Sequence, residues 1–142
     1  MLIMKIEATV WADICYKYYD EVREILKENK IDPGYMESGK TILHLIAETT
    51  EVDIAKMLLD MGVDINIENG WGKSPLIVAL YKYEQRDFDN DSMVKFLIQS
   101  GAGRDSNNNF TEEVKKELTS IKQVLKIDAP EKLEKLDWLN IE

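Results

Sequence analysis

The chain has 142 residues, 44% of them hydrophobic and 32% charged, with a formal net charge of -9, which is the make-up of one soluble globular domain. Such a surface repels phosphate, so nucleic acid and anionic membranes are excluded as expected partners and a basic protein is favoured, although acidity can also serve solubility alone. A single cysteine, Cys15, excludes an internal disulfide and fits a reducing, cytoplasmic setting.

Met1-Leu2-Ile3-Met4-Lys5-Ile6 has neither a long apolar core nor a small-residue cleavage site, so no secretory signal is expected. No apolar run approaches the roughly 20 residues that span a bilayer. A first helix is predicted over about 7–19, with Ala8, Trp11, Ala12 and Cys15 on its inward face. Asp20 is read as the cap of a second helix to residue 29, with Val22, Ile25 and Leu26 inward. Asp32-Pro33-Gly34 ends it in a turn.

Thr41 is predicted to cap a third helix carrying Leu43, Ile46 and Ala47. A fourth, over 52–61, carries Ile54, Ala55, Leu58 and Leu59 and stops at Gly62. An extended turn follows over 63–72, with Asn69-Gly70 as its tip. Ser74 caps the next helix with Pro75 in its first position, and Leu76, Val78, Ala79 and Leu80 pack. A polar stretch then intervenes before a helix over 93–100 with Val94, Leu97 and Ile98 inward. After a Gly- and Asn-rich loop, Thr111 caps a longer helix to residue 126 on the stripe Val114, Leu118, Ile121, Leu125. Asp128-Ala129-Pro130 begins a last short helix carrying Leu133, Leu136 and Leu139.

Two of these units are copies of each other. Gly39-Lys40-Thr41-Ile42-Leu43-His44-Leu45-Ile46-Ala47 returns 33 residues later as Gly72-Lys73-Ser74-Pro75-Leu76-Ile77-Val78-Ala79. Gly62-Val63-Asp64-Ile65-Asn66 returns less cleanly as Gly101-Ala102-Gly103-Arg104-Asp105, 39 residues on and so with six residues inserted. A fixed period of this length marks a solenoid whose units bury their apolar faces only against neighbours.

These residues resemble the ankyrin repeat family, whose unit carries Thr-Pro-Leu-His-x-Ala. Thr41-Ile42-Leu43-His44-Leu45-Ile46-Ala47 keeps this pattern except for Ile42, and Ser74-Pro75-Leu76-Ile77-Val78-Ala79 keeps the Pro but has Ile77 in place of His. The resemblance covers 36–107. Before it only Val22-Arg23-Glu24-Ile25-Leu26 echoes a second helix, and after Asn109 it is absent. The implied architecture is an all-α, short ankyrin-repeat solenoid in one domain, 1–142. Its parts are a degenerate N-terminal unit (1–35), a repeat (36–68), a repeat with an insertion at 85–92 (69–107), and a divergent helical cap (108–142) whose helices do not match the repeat. The resemblance implies a concave protein-binding face of turn tips and inner helices, without catalytic machinery or cofactor.

Two motifs and two single residues suggest chemistry and are better explained otherwise. Gly34-Tyr35-Met36-Glu37-Ser38-Gly39-Lys40-Thr41 fits the phosphate-binding loop pattern letter for letter, but no hydrophobic strand precedes it, and Gly72-Lys73-Ser74 recurs on the schedule of the repeat. Asp87-Phe88-Asp89-Asn90-Asp91 resembles the start of a calcium loop, yet Ser92 and Ile98 occupy the positions that need Gly and Glu, so a solvated acidic loop is expected and no metal. His44, the lone histidine, has no nucleophile paired with it and is read as structural, and Cys15 as core.

Trp71 falls at a turn tip, where a large apolar residue has no evident folding duty beyond folding back on a neighbouring repeat, and Trp is the type most enriched at binding hot spots. Tyr81 and Lys82 lie beside it on the inner helix, Glu48 and Thr49 at the matching place one repeat earlier, and Glu37, Ser38 and Lys40 on the preceding turn. With Glu68 and Lys73 these form the expected protein-binding set, an aromatic anchor rimmed by Glu37, Glu48 and Glu68. Tyr16 extends the face, while Trp11 and Trp138 pack the two ends. The expected activity is binding, not catalysis: an inhibitor of the immunity-protein kind directed at a basic toxin enzyme, or an adaptor bridging other proteins.

Overall fold

A computed structural model describes residues 6–28, 31–85, 88–136 and 138. Seven α-helices account for most of them: α1 Ile6–Cys15, α2 Tyr19–Lys27, α3 Ile42–Ala47, α4 Val52–Asp60, α5 Pro75–Glu84, α6 Asp91–Gln99 and α7 Glu112–Asp128. Two-residue strands β1 (Met36–Glu37) and β2 (Lys40–Thr41) pair antiparallel ahead of α3, in the register Met36↔Thr41 and Glu37↔Lys40. Helices pack in pairs, α1 with α2, α3 with α4 and α5 with α6. One layer runs α1–α3–α5–α7 and a second runs α2–α4–α6.

The repeated letters have direct structural counterparts. Thr41 and Ser74 each take extended backbone, and each side-chain oxygen accepts the N–H three residues on, at 3.2 Å from His44 and 3.3 Å from Ile77. At the other end of each unit, Gly62 (φ +95°) and Gly101 (φ +96°) take the left-handed conformation. There Gly62 N–H donates to Leu59 C=O and Val63 N–H to Leu58 C=O, while Gly101 and Ala102 do the same to Ile98 and Leu97. This is one cap built twice. A Cβ on either glycine would meet nothing within 4 Å, so the backbone angle, not space, requires glycine there.

Helix α3 is buried on every side, Ile42 through Ala47, because it is enclosed by α1, α4 and α5. The core runs from there through Ile54 and Leu58, Leu76 and Leu80, Met93 and Leu97, to Ile121 and Leu125.

Several expectations are corrected. In α1 the buried residues are Val10 and Ile14; Ala8, Trp11 and Ala12 are only half-buried and Cys15 is exposed, so Cys15 is not core. Two faces share this spacing, and the packing of α1 against α2 and α3 selects the one with Val10 and Ile14. Asp20 does not cap α2: Tyr18 holds the cap position without a side-chain bond, and Asp20 lies in the first turn, paired with Arg23 at 2.9 Å. Of the predicted inward residues of α2, Val22 and Leu26 are buried and Ile25 is half-buried; residue 29 lies outside the described residues.

The described part of the insertion, 88–92, is not a solvated loop. After Gln85 the chain forms a 3-10 turn, Phe88–Asn90, in which Asn90 is buried and its side-chain amide donates to Ala79 C=O at 3.0 Å. Phe88 tilts against Tyr83 with ring centroids 5.0 Å apart, and Trp138 meets Tyr83 edge-on at 5.1 Å. The added residues therefore build a small aromatic core with the C-terminal segment. Asp87 lies outside the described residues.

The helix after Asn109 has the cap and the buried stripe expected of it. Thr111 accepts from Val114 N–H at 3.3 Å, as Thr41 and Ser74 do in their helices, and α7 packs on α5 as α5 packs on α3. Its stripe Val114, Leu118, Ile121 and Leu125 is buried throughout. Residues 112–128 thus continue the layer of inner helices although their letters depart from the repeat. The final short helix is a 3-10 turn, Pro130–Lys132, followed by half-buried Leu133 and buried Leu136; Leu139 lies outside the described residues.

Candidate functional site

The first turn is a two-residue hairpin in which Ser38 (φ 53°) and Gly39 (φ 78°) are both left-handed, the geometry whose twist matches its flanking strands. The next turn is organised by Asn69. Its side-chain oxygen accepts from Trp71 N–H (2.9 Å) and Lys73 N–H (3.0 Å), and its own N–H donates to Lys73 C=O (2.9 Å). The two turns touch backbone to backbone, with Gly70 N–H donating to Gly39 C=O at 2.8 Å. A Cβ on Gly70 would sit 3.0 Å from Gly39 Cα, so this approach needs glycine at position 70.

His44 ties α3 to the same turn. Its Nε2 lies 2.7 Å from Lys73 C=O, and its Nδ1 lies 2.6 Å from Thr41 Oγ1. A carbonyl can only accept, so Nε2 carries the proton and Nδ1 accepts from the Thr41 hydroxyl. Burial lowers the His44 pKa, opposed by the Lys73 and Ile67 carbonyls, and the ring is neutral at pH 7. Thr41 is itself fully buried. Its hydroxyl serves the helix cap and the histidine, and the stretch resembling a phosphate loop is a hairpin with no free cradle.

Against this frame Trp71 stands 64% exposed. Its ring leans on Gly39, where a Cβ would come within 3.0 Å of the indole. Trp71 therefore contacts the preceding turn and still presents most of its surface to solvent.

A cavity of about 200 Å³ opens between Trp71 and α5. Of the residues singled out from sequence, it gathers Lys40, Glu48, Trp71, Tyr81 and Lys82. Sequence reasoning did not place His44, Asn69, Val78 and Gln85 there, although all four line it too. Helical spacing is the signal that could have found Val78, which stands three residues before Tyr81 on α5.

The remaining residues of the set point elsewhere. Glu37 accepts the Tyr35 hydroxyl at 2.8 Å, which raises the Tyr35 pKa. Ser38 is the exposed hairpin tip. The Thr49 hydroxyl donates to Ile46 C=O (2.7 Å) and accepts from Glu51 N–H (3.1 Å), bracing the α3–α4 turn. Glu68 lines a separate hollow with Asn66, Arg104 and Glu113. Lys73 pairs with Glu113 at 2.6 Å and lies 6.0 Å from the Tyr81 ring centroid. Of the three glutamates expected to rim the anchor, only Glu48 reaches the cavity. Tyr16 is 70% exposed and stacked on Tyr18, with centroids 5.9 Å apart.

A third hollow adjoins the first across Tyr81 and Gln85 and contains Glu84 and Glu117. Burial, then the hydrogen bond and charge of Glu84, push the Glu117 carboxyl up to about 7. Ser120 donates to Glu84 Oε1 at 2.8 Å. No helix among the described residues is long and apolar enough to cross a membrane.

A stack of helix pairs with projecting turns, presenting exposed side chains and a shallow cavity on one side, defines a protein-interaction module. Residues 11–110 match the family model described as ankyrin repeats in three copies, and the chain belongs to the ankyrin repeat family. It is also 32% identical over 84 residues to the E3 ubiquitin-protein ligase KEG of Arabidopsis thaliana, across 58% of this chain and 5% of that one. The chain thus spans only a small part of the length of this relative.

Proposed function

We propose that the chain is a non-catalytic module that holds another protein on the face formed by Trp71, Tyr81 and the turn tips, and that its partner is a basic protein. The observation that carries this reading is the exposed indole of Trp71 beside an open cavity, fixed on a turn whose backbone is fully organised by Asn69 and Gly39. A rigid, solvent-facing Trp is the type of residue that dominates binding energy. The net charge of -9 supports a basic partner through steering. The best specific role is an inhibitor of the immunity kind, acting in the cytoplasm and occluding a toxin enzyme; the acidity of the chain supports it.

An adaptor role is the second reading, favoured by the match to a short segment of a far longer ligase. Capture of partners from native lysate by wild type and Trp71→Ala tests both. One stoichiometric basic protein, lost with Trp71→Ala, is the inhibitor result. Several weak partners are the adaptor result. An identical set captured by both proteins overturns the proposed face.

A further inference from the structure

The hollow that adjoins the Trp71 cavity holds a carboxyl pair built across two helices. Glu84 ends α5, Glu117 lies on α7, and the two line the hollow with Tyr81 and Gln85. Tyr81 and Gln85 also line the cavity of Trp71, so the pair stands next to the proposed anchor. Ser120 of α7 donates to Glu84 Oε1 at 2.8 Å and fixes that carboxyl. Glu117 Oε2 is shielded from solvent and finds no hydrogen-bond donor among the described residues. Two carboxylates so placed resist ionising together, and a proton kept by one lets it donate to the other.

The neighbouring charges leave that proton in place. On α7, Glu113 adds negative charge but is engaged with Lys73 at 2.6 Å, and the exposed Lys116 favours ionisation. Glu48 and Lys82 line the Trp71 cavity and not this hollow. The 3-10 turn packed on α7 brings Lys132, which is engaged with Asp91 at 3.2 Å. Burial and Glu84 outweigh Lys116, and the Glu117 carboxyl titrates at about 7.

Resting on the protein-binding reading above, we infer that the Glu84–Glu117 pair couples partner binding to a proton. The pair carries one negative charge while the proton is shared and two once it has left for solvent. A basic partner seated against Trp71 and Tyr81 is held more tightly in the second state. The coupling is reciprocal, so the bound partner also drives the proton off.

The test uses peptides selected from a random heptapeptide display library on the wild-type protein at pH 8, with counter-selection on Trp71→Ala. Selected sequences without His are synthesised with blocked termini, so that their Lys and Arg stay charged across the range tested. Their affinities for wild type and Glu117→Gln are measured by calorimetry at pH 6 and pH 8, after circular dichroism has shown both proteins folded at both values. The expected peptides are rich in Lys or Arg and bind wild type roughly fivefold more tightly at pH 8 than at pH 6. Glu117→Gln should bind them equally at both, at the weaker level, because its pair holds one charge throughout. An equal pH dependence in the two proteins, or none in wild type, would overturn the inference and leave the protein-binding face standing. Absence of any Trp71-dependent peptide would overturn the face and the inference with it.

Discussion

The indole of Trp71 lies over Gly39, one repeat earlier, so closely that a methyl group on Gly39 would come within 3.0 Å of the ring. The same glycine accepts the Gly70 N–H at 2.8 Å. One residue without a side chain therefore sets both the spacing of two turns and the attitude of the most exposed tryptophan.

Gly39→Ala should lower stability by about 1 kcal/mol, since alanine is disfavoured at φ +78° and its Cβ displaces the indole. Combining it with Trp71→Ala relieves the contact but not the backbone strain, so the double variant should recover only part of the loss. Urea denaturation of the three variants checks this; full recovery would mean that the strain is negligible.

Trp71→Ala alone should weaken partner binding by about 2 kcal/mol, chiefly through faster dissociation, with little change in melting temperature because the ring is mostly in solvent. Surface plasmon resonance beside thermal unfolding separates the two. A large drop in melting temperature with unaltered dissociation would make Trp71 a folding residue.

His44→Ala should cost about 2–3 kcal/mol, because it strands a buried hydroxyl on Thr41 and one acceptor bond of the Lys73 carbonyl. The histidine also has a pH signature. Its folded pKa is lowered by burial, so the unfolded chain takes up the proton first as pH falls. Its contribution is present above the unfolded value, about 6.5, and is lost as pH falls through the folded value.

Glu117 acts in the opposite sense. Its pKa is raised to about 7, first by burial and then by Glu84, so the folded chain holds a proton that the unfolded one has released. Its contribution is complete below the unfolded carboxyl range and is lost as pH rises through about 7. Glu117→Gln should therefore stabilise the protein at pH 8 and have little effect at pH 4.5, and should expose the slope of His44 between pH 5 and 7. Denaturation midpoints across pH 4.5–8 measure this; equal effects of Glu117→Gln at both ends would contradict the raised pKa.

Arg23 joins the outer helices. From α2 it meets Asp53 of α4 at 2.6 and 3.1 Å and Glu51 at 3.0 Å, as well as Asp20. The Asp53 pKa falls mainly through this bond. Arg23→Ala should cost about 1 kcal/mol, since the pairing is two-pronged but partly solvated, and the cost should shrink in high salt. Loss independent of salt would assign the effect to the packing of its aliphatic stem.

The sequence by itself determined the repeat, the family and the hydroxyl caps of α3, α5 and α7. Thr41, Ser74 and Thr111 are legible because a cap needs only a hydroxyl at one position, and Gly62 and Gly101 because a left-handed angle needs glycine. The presence of Trp71 on a turn was legible for the same reason, from period and turn chemistry.

Tertiary structure alone decided the rest. Two faces of α1 had similar spacing, and only packing against α2 and α3 buried Val10 and Ile14 while leaving Cys15 in solvent. The insertion looked solvated because its letters are polar, yet Asn90 finds the Ala79 carbonyl, and Phe88 and Trp138 find Tyr83, only once distant segments meet. The charge around Trp71 follows the same rule. Composition gives the total, but which lysines and carboxylates share a cavity depends on which way each side chain leaves its turn or helix.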